Sequence, residues 1–412
     1  AGDVVLVSFL FAATVGLVHV TMTSAGVPSL IACAFAFASM VLQAAHLLPR
    51  PHMFTTLLVA AFAFVLLESR RDGGTRRLLL LPVLMLLWAN LHGGFLVGFI
   101  LLVLFLVDAW IRNRQSEGMK SRYAWTLTGI VGLCFAASLL TPAGIDLWPH
   151  TTGYLGETYL VAFTQEYNSP NFHDPLLKFF LAVLMAGTGV LALLRSRVDL
   201  LGAAMWILFA AFSLHSGRNI PLFAVLGIPW MAGWTVQLLA QEAEDSPTAR
   251  GIEQWSGRLS STEDLLPGWP VAGLGLVILT VLALQPDRRE AIRFSSEVFP
   301  VDAVEYLFES GFEPPGPVYN EFAWGGYLLY RAWPDIPVFI DGQTDFYGEE
   351  LTKEYVAIRA LEPGWQEHLD RHGVRWALIP PDVALNQGLE LSEEWESAYS
   401  DSTASVWIRR AP

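Results

Sequence analysis

The stretch "LLLLPVLMLLWANLHGGFLVGFILLVLFLVDAWI", residues 78–111, decides the fold class of this chain. It is apolar except for one interruption in its middle, the segment "NLHGG", and for Asp108 near its end. About 20 apolar residues are enough for a helix to cross the hydrocarbon core of a bilayer. The stretch therefore predicts two membrane-crossing helices joined by a tight turn. In that turn Gly93 and Gly94 allow a positive φ, and Asn90 caps the broken end of the first helix.

The composition of the whole chain is that of a membrane protein. Hydrophobic residues make up 53% and charged residues 16% of it, whereas soluble domains carry roughly 25% charged residues. We predict an α-helical polytopic membrane domain over residues 1–286, with about ten transmembrane helices, some of them short for a straight crossing. The predicted spans are 4–22, 27–47, 53–67, 78–90, 94–111, 124–141, 177–194, 199–214, 220–240 and 269–285.

The distribution of basic residues predicts the orientation of these spans. The loops 68–77, 112–122, 195–198 and 241–268 hold twelve Lys and Arg residues, and the alternate loops hold three. Loops rich in Lys and Arg stay in the cytoplasm, so residue 1 and the tail are both expected outside. The chain starts without an initiator Met or a signal-like segment. We therefore expect a further span and its outer loop to precede it.

The tail, residues 287–412, has a different composition. It carries 23 acidic and 10 basic residues, and a surface of this charge is unsuited to nucleic acid. Patterns typical of strands alternate with patterns typical of helices, which predicts an extracytoplasmic α/β domain with a small sheet. The strand patterns are "PVYN", "IPVFIDG", "VRWALIP", "WESAYS" and "ASVWIRR".

Two basic side chains on the predicted outer side are candidates for ligand binding. His92 interrupts an apolar run, and a broken helix is tolerated at membrane depth where it lines a cavity. In such a cavity His92 would bind a polar or anionic headgroup. The alternative is that the "NLHGG" residues only satisfy backbone groups of a helical hairpin. Arg218, in "HSGRN", presents a planar fork suited to phosphate. Its alternative role is an anchor at the membrane interface.

An acidic residue on the same side is a candidate for catalysis. Glu166 lies beside Tyr167 at an apolar boundary, where a carboxylate can serve as a general base. The alternative is an ordinary solvated carboxylate. Although several His and acidic residues fall on this side, no pair has a recognised metal-ligand spacing. The sequence therefore leaves the cofactor unassigned, and a divalent metal is compatible with it but is not indicated by the ligand spacing.

The tail has its own candidate site. Asp341 follows the apolar pattern "PVFI" and Asn320 follows "PV", and open α/β sheets bind ligands beyond the carboxyl ends of their strands. Together with Asp345 they predict a crevice. In the alternative interpretation, Asn320 and Asp341 cap the helices that follow, and Gly325 and Gly326 allow close packing.

Six segments carry a resemblance to a known family. They resemble a group of bacterial polytopic membrane proteins that is similar to the C superfamily (GT-C) of integral membrane glycosyltransferases, and they occur in this chain in the order found in that group. The segments are "LLPRPHMFTTLLVAAFAFVLLE" (47–68), "LLWANLHGGFLVG" (86–98), "TPAGIDLWPH" (141–150), "QEYNSPNFHD" (165–174), "GRNIPLFAVLGIP" (217–229) and "VYNEFAWGGYLLYRAWPDIPVFIDGQTDFYG" (318–348).

The resemblance implies an enzyme of the bacterial cytoplasmic (inner) membrane that transfers a sugar from a polyprenyl-phosphate donor at the outer face, among membrane lipids. In that superfamily an acidic residue of the first outer loop commonly acts as base or binds the acceptor, and this chain contains no such loop. The base is then Glu166 or a residue of the absent loop. His92 is the second catalytic candidate beside Glu166, and it is expected at the donor phosphate together with Asn90, His215, Arg218 and Asn219. The residues expected in the outer-domain crevice are Asn320, Trp324, Asp341 and Asp345.

Two other functions are compatible with the sequence. A non-catalytic membrane subunit or scaffold would account for the absent loop and would bind protein partners in a larger complex. A transporter ranks third, because no intramembrane chain of carboxylates of the kind used for proton coupling is present. Asp108 is the acidic residue nearest to such a position, and it lies toward the cytoplasmic end of its predicted span.

Overall fold

The computed structural model describes most of the chain, in two compact units. The first unit contains the described residues up to 154 and from 165 to 255. The second contains residues 158–163 together with the described residues from 294 onward. The described ranges are 2–114, 119–154, 158–163, 165–195, 198–243, 246–248, 250–251, 254–255, 294–312 and 315–410. The predicted span 269–285 and the predicted domain boundary at 286 lie outside them.

The first unit is built from helices. They are α1 (Gly2–Ser24), α2 (Ser29–Ala44), α3 (His52–Asp72), α4 (Leu80–Leu91), α5 (Phe95–Arg114), α6 (Met119–Ser138), α7 (Leu147–Tyr154), α9 (Pro175–Leu193), α10 (Leu200–His215), α11 (Ile220–Leu226) and α12 (Ile228–Glu242). The intervening α8 (Thr158–Phe163) belongs to the second unit.

Four described helices are long and apolar enough to cross a membrane, namely Val5–Ser24 of α1, α3, α5 and α9. A fifth span results if the bent pair Gly217–Leu226 and Ile228–Glu242 is counted as one, and Ser29–Ala44, Arg77–Leu91 and Leu200–His215 are apolar but shorter. These long apolar helices support the predicted membrane association of this unit. The predicted span 53–67 is too short because it stops where charge begins, whereas α3 continues through "ESRRD" to Asp72.

The predicted span 220–240 is not one straight helix. It breaks between α11 and α12, which meet at 47°. Gly227 joins the two helices, and Pro229 lies in the first turn of α12. Proline lacks the backbone N–H and its ring clashes with the carbonyl of the preceding turn, so it ends or kinks a helix.

Charged side chains join the ends of three helices. Arg70 of α3 donates from Nε to Asp108 of α5 at 2.7 Å and from Nη2 to Asp199 at 2.8 Å. Asp199 also caps the first turn of α10. Arg112 lies 3.2 Å from Asp108 and 3.4 Å from Asp199. These four residues are the Arg70 cluster, and this end of the unit is the Arg70 end.

Glycines allow large aromatic rings to pack against neighbouring helices. A Cβ at Gly187 would lie 2.2 Å from the ring of Trp206, and one at Gly202 would lie 2.5 Å from the ring of Trp230. Trp206 also packs edge to face on Phe223, with ring centroids 4.8 Å apart. Helices that associate in a membrane rely on such close approach at small residues. The unit is thus held together by packing as well as by charge.

The second unit contains a four-stranded sheet covered by helices on both faces. Its strands are β1 (Val318–Asn320), β2 (Trp376–Ile379), β3 (Trp395–Ser400) and β4 (Ser405–Arg409), in the order β1-β2-β4-β3. β1 and β2 are parallel, and the other pairs are antiparallel. Its remaining helices are α13 (Val301–Glu309), α14 (Gly325–Ala332), α15 (Thr344–Arg359), α16 (Trp365–Arg371) and α17 (Ala384–Glu390).

Alternate residues of the central strands face the two layers of helices. Trp376 and Leu378 of β2 pack in one core with α13 and α14, and Ala377 and Ile379 pack in the other with α15, α16 and α17. Both faces of the sheet are therefore buried, and all four residues of β2 are apolar. The predicted α/β class with a small sheet is confirmed for this part of the chain.

One predicted strand is wrong. The segment "IPVFIDG" does not join the sheet, and β1 is an edge strand. The side chain of Asn320 contacts this segment instead: its Nδ2 donates to the Ile340 carbonyl at 2.9 Å, and its Oδ1 accepts from the Phe339 N–H at 2.7 Å. A side-chain amide has thus replaced a ladder of backbone hydrogen bonds.

The turn between β3 and β4 is organised by one carboxylate. Asp401 accepts hydrogen bonds from the hydroxyl of Tyr399 at 2.7 Å and from the backbone N–H groups of Thr403 and Ala404. Burial raises the pKa of Asp401, but the Tyr399 hydroxyl and the two amides outweigh it and lower the pKa below its usual 3.8. The charged form is therefore the one that the turn stabilises.

Candidate functional site

The end of the first unit opposite to the Arg70 end is the His92 end, and it holds most of the candidate residues. Hydrogen bonds tie the loop after α8 to the loop after α10. The hydroxyl of Ser216 donates to the carbonyl of Glu166 at 3.2 Å, and the N–H of Gly217 donates to the carbonyl of Asn168 at 2.9 Å. These bonds bring Glu166 and Arg218 close together although 52 positions separate them in sequence.

Hydrogen bonds determine the tautomer of His92. The backbone N–H of Gly94 donates to its Nδ1 at 3.0 Å, and Thr55 Oγ1 lies 2.9 Å from the same nitrogen. The Thr55 oxygen itself accepts from the indole N–H of Trp88 at 2.9 Å. Because Nδ1 is an acceptor, the neutral ring carries its hydrogen on Nε2. This N–H has no hydrogen-bond partner among the described residues, so it is an open donor.

Arg218 is held by an aromatic ring. Its Nη1 contacts the hydroxyl of Tyr167, and its guanidinium carbon lies 4.9 Å from the centre of the Tyr167 ring. Arg218 forms no ion pair with a carboxylate in the part of the chain that the structure describes. Stacking on a neutral ring orients a guanidinium without cancelling its charge. The cation is thus positioned and remains able to bind an anion.

Glu166 has basic neighbours. It forms an ion pair with Arg50, whose side chain is 54% exposed, and its Oε2 lies 3.6 Å from Nε2 of His46. The rings of His46 and His52 are 4.5 Å apart, and Nε2–H of His52 donates to the His46 carbonyl at 3.0 Å. Glu166 is therefore a paired carboxylate rather than a freely solvated one.

These side chains share one electrostatic neighbourhood. The charge of Arg218 acts on His46, His52 and His92, and the charge of Glu166 acts on His46 and His52. Arg218 thus lies within electrostatic reach of His92, and Glu166 lies within reach of His46 and His52, whereas sequence reasoning singles out His92, Glu166 and Arg218 separately. We call His46, Arg50, His52, His92, Glu166, Tyr167 and Arg218 the His92 cluster.

Of the other residues expected at the donor phosphate, two donate hydrogen bonds to the backbone and one has an exposed side chain. Asn90 donates to the carbonyls of Leu86 and Leu140 at 2.9 and 3.0 Å, and His92 rather than Asn90 is the C-cap of α4. Asn219 donates to the carbonyl of Phe212 at 3.1 Å. The His215 side chain is exposed at the end of α10. Both amides thus hold the backbone of the turns that carry His92 and Arg218.

The candidate crevice residues of the second unit are engaged in its own framework. Asn320 is fully buried and holds the segment that precedes Asp341. Asp341 is 5% exposed and accepts from the N–H of Gln343 at 2.8 Å, and Trp324 donates its indole N–H to the carbonyl of Val298 at 2.9 Å. Asp345 is the second residue of α15, and its side chain lies outside the described part of the chain. The crevice remains a prediction.

Sequence reasoning did not assign roles to several residues of the His92 cluster. Arg50 and His52 belong to "RPH" in the first of the resembling segments, so that motif was an available signal. Thr55 lies one helical turn after His52 and orients His92, but nothing in an apolar helix distinguishes it from other threonines. Tyr167 is adjacent to Glu166, and its stacking with Arg218 depends on a contact across 51 positions that sequence spacing does not show.

Neither a metal site nor a comparison with known proteins assigns a further role to these residues. Among the described residues, no group of three or more His, Cys, Asp or Glu side chains is placed to hold a metal ion. Comparison with family models and with curated proteins finds no match for this chain.

Proposed function

We propose that the chain is an integral membrane glycosyltransferase, similar to the GT-C superfamily, that binds a polyprenyl-phosphate-linked sugar donor at the His92 end. The observation that supports this most is that the open Nε2–H donor of His92 lies within electrostatic reach of the Arg218 guanidinium, which has no carboxylate partner among the described residues. A phosphate ester needs a fixed cation and neutral donors beside it. The resemblance of the segments that carry these residues supplies the sugar-transfer chemistry.

The reaction in this proposal is a direct displacement at the anomeric carbon. The acceptor hydroxyl oxygen attacks that carbon, and the bond from the carbon to the phosphate oxygen breaks. The lipid phosphate leaves with the electron pair, and Arg218 and His92 stabilise its negative charge. The proton of the acceptor passes to a carboxylate, for which Glu166 is the candidate once its ion pair with Arg50 opens.

The proposal includes the topology predicted from the basic residues. In it about ten helices cross the bacterial cytoplasmic membrane, the Arg70 end faces the cytoplasm, and the His92 end and the tail are extracytoplasmic. The alternation of described helices supports this arrangement, because α3 runs from His52 at one end to Asp72 at the other and α10 runs back. The donor then reaches the His92 cluster from the outer leaflet.

Binding of a polyprenyl monophosphate tests the proposal. The full chain in nanodiscs is titrated with polyprenyl monophosphate and, separately, with the polyprenol that lacks the phosphate, and bound lipid is counted by native mass spectrometry. We expect R218Q and H92N to weaken binding of the phosphate form by about 10- to 100-fold each, since a hydrogen bond to a charged group contributes about 1.5–3 kcal/mol. H92N is chosen because an Asn oxygen can still accept from Gly94.

Matched controls separate binding from folding. R195Q removes an arginine that pairs with Glu242 away from the cluster, and H173N removes an exposed histidine; both are expected to bind as the parent chain does. Equal binding of the phosphate and alcohol forms, or unchanged binding in R218Q and H92N with intact folding, would contradict the proposal. Donor consumption is then followed with polyprenyl-phosphate sugars in native membranes, and a chain that binds the donor without consuming it would support the scaffold instead.

A further inference from the structure

A cavity lies at the Arg70 end of the first unit. It has a volume of about 460 Å³ and is lined by residues 72–77, which follow α3, and by Arg122 and Tyr123 of α6. Small-molecule sites fall in the range of about 300–1,000 Å³. Since α3 has 21 residues, this cavity lies about 30 Å from the His92 cluster. It is therefore independent of the site proposed for the donor.

The cavity carries an excess of positive charge. Asp72 is the one acidic residue among the described residues that line it, and it is already bonded to Arg77 at 2.7 Å and to the N–H of Gly74 at 2.7 Å. Arg76 and Arg122 are exposed and form no ion pair within the described residues. Two guanidinium groups thus face a cavity whose carboxylate is occupied. Such a site favours a small anion with several acceptor oxygens.

A polar atom of the lining is unsatisfied. The hydroxyl of Tyr123 is buried and has no hydrogen-bond partner in the part of the chain that the structure describes. A buried hydroxyl without a partner is unfavourable. A ligand oxygen that reaches this hydroxyl from the cavity would supply the missing partner, and this requirement is separate from the charge of the two arginines.

Exposed apolar side chains lie beside the cavity. Leu79 and Leu80, which directly follow its basic loop, are 61% and 54% exposed, and Val83 on the next turn of α4 is 56% exposed. Acyl chains of a membrane lipid would cover such a surface, and a soluble phosphate would leave it bare. Basic pockets between helices at the cytoplasmic side of membrane proteins suit anionic headgroups.

We propose that this cavity binds the phosphate group of an anionic phospholipid. Arg76 and Arg122 contact the phosphate oxygens, the Tyr123 hydroxyl donates to one of them, and the acyl chains lie along Leu79 and Val83. The group that the cavity recognises is a phosphate, and the molecule that contains it is a membrane phospholipid.

Native mass spectrometry of the full chain tests the phosphate site. The protein is reconstituted with phosphatidylglycerol or phosphatidylcholine, and the lipid retained is measured for the parent chain and for R76Q/R122Q. We expect selective retention of phosphatidylglycerol and a loss of about 30-fold in the variant, from two basic residues near the membrane surface. R114Q/R195Q, which removes two arginines outside the cavity, is the matched control and should retain the lipid.

Two further measurements complete the test. Y123F should weaken phosphatidylglycerol retention while thermal unfolding of the lipid-free chain stays unchanged, because the hydroxyl lost has no protein partner there. Glycerol 1-phosphate supplied at the same concentration should not displace the lipid. Equal retention in R76Q/R122Q and the parent chain would overturn the site, and full displacement by glycerol 1-phosphate would overturn the lipid as its carrier.

Discussion

Replacing Gly325 by Ala should disrupt the second unit, whereas the same change at Gly326 should not. A Cβ at Gly325 would lie 2.3 Å from the carbonyl oxygen of Ile340 and 2.5 Å from Cβ of Asp341. Weak contacts between carbon and oxygen are normally about 3.3–3.6 Å, so the segment must move by roughly 1 Å. At Gly326 nothing lies within 4 Å of the added carbon.

The cost of that movement follows from what holds the segment. Asn320 is fully buried and donates to the Ile340 carbonyl at 2.9 Å, a bond that a 1 Å displacement breaks. Losing a buried hydrogen bond costs about 1–3 kcal/mol, and overpacking costs about 1–3 kcal/mol more. G325A should therefore destabilise the unit by about 2–6 kcal/mol. G326A should stabilise it by about 0.5–1 kcal/mol, because Ala loses less backbone entropy in a helix than Gly.

Hydrogen exchange measures this difference in the full chain. Amides of β1 and β2 exchange through opening of the unit, and each 1.4 kcal/mol changes the rate about tenfold. We expect exchange to accelerate by roughly 30-fold to 10⁴-fold in G325A and to slow slightly in G326A. If the two variants exchanged alike, or if G325A stayed within about threefold of the parent chain, close approach at Gly325 and the bonds of Asn320 would not hold this segment.

Two further predictions concern charge. R70M should destabilise the first unit by about 3–5 kcal/mol, because it leaves Asp108 and Asp199 without their closest partner. R112M changes a side chain that is 42% exposed and should cost at most about 1 kcal/mol. Thermal unfolding in detergent compares the two variants, and equal losses of stability would refute the argument. The pKa of Asp401 is lowered in the folded chain, so its contribution to stability is present above pH 3.8 and is lost as the pH falls through the folded pKa. D401N should remove this acid dependence from hydrogen exchange of residues 395–409, corrected for the intrinsic rate at each pH, and an unchanged dependence would exclude Asp401 as its source.

The sequence predicts the helices of the first unit well because apolar runs and helices coincide there. The predicted segment 94–111 corresponds to α5, and 177–194 corresponds to α9 within a few residues. Errors occur where composition and backbone chemistry diverge. The span 220–240 is apolar throughout, so hydropathy does not reveal the break at Gly227, whereas Pro229 does.

The second unit shows a different limit. Four of the five predicted strands exist, and "IPVFIDG" has the same apolar character as the rest. Whether such a segment joins a sheet depends on which backbone groups are free to pair with it. Here Asn320 satisfies those groups with its side chain, which is a tertiary event that local pattern does not encode.

The candidate residues of the His92 end could be named from sequence, but their arrangement could not. His92 and Arg218 stand out because polar residues are costly in apolar surroundings. The stacking of Arg218 on Tyr167 and the bond from Gly94 to His92 depend on contacts between loops. Only these contacts determine which nitrogen of His92 carries hydrogen and whether Arg218 keeps its charge available.

The Arg70 cluster and the His92 cluster differ in how their charges are matched, and this difference supports a binding role for the His92 cluster. In the Arg70 cluster, Asp108 and Asp199 each accept from a guanidinium, so the charges of that cluster join helices. At the His92 end, Arg218 rests on a neutral phenol, and the Nε2–H of His92 has no partner among the described residues. Leaving a cation and a donor unmatched at an apolar boundary costs stability. The charges of the Arg70 cluster already stabilise the unit without a ligand. At the His92 end, the cost in stability is offset when an anionic ligand supplies the missing acceptors.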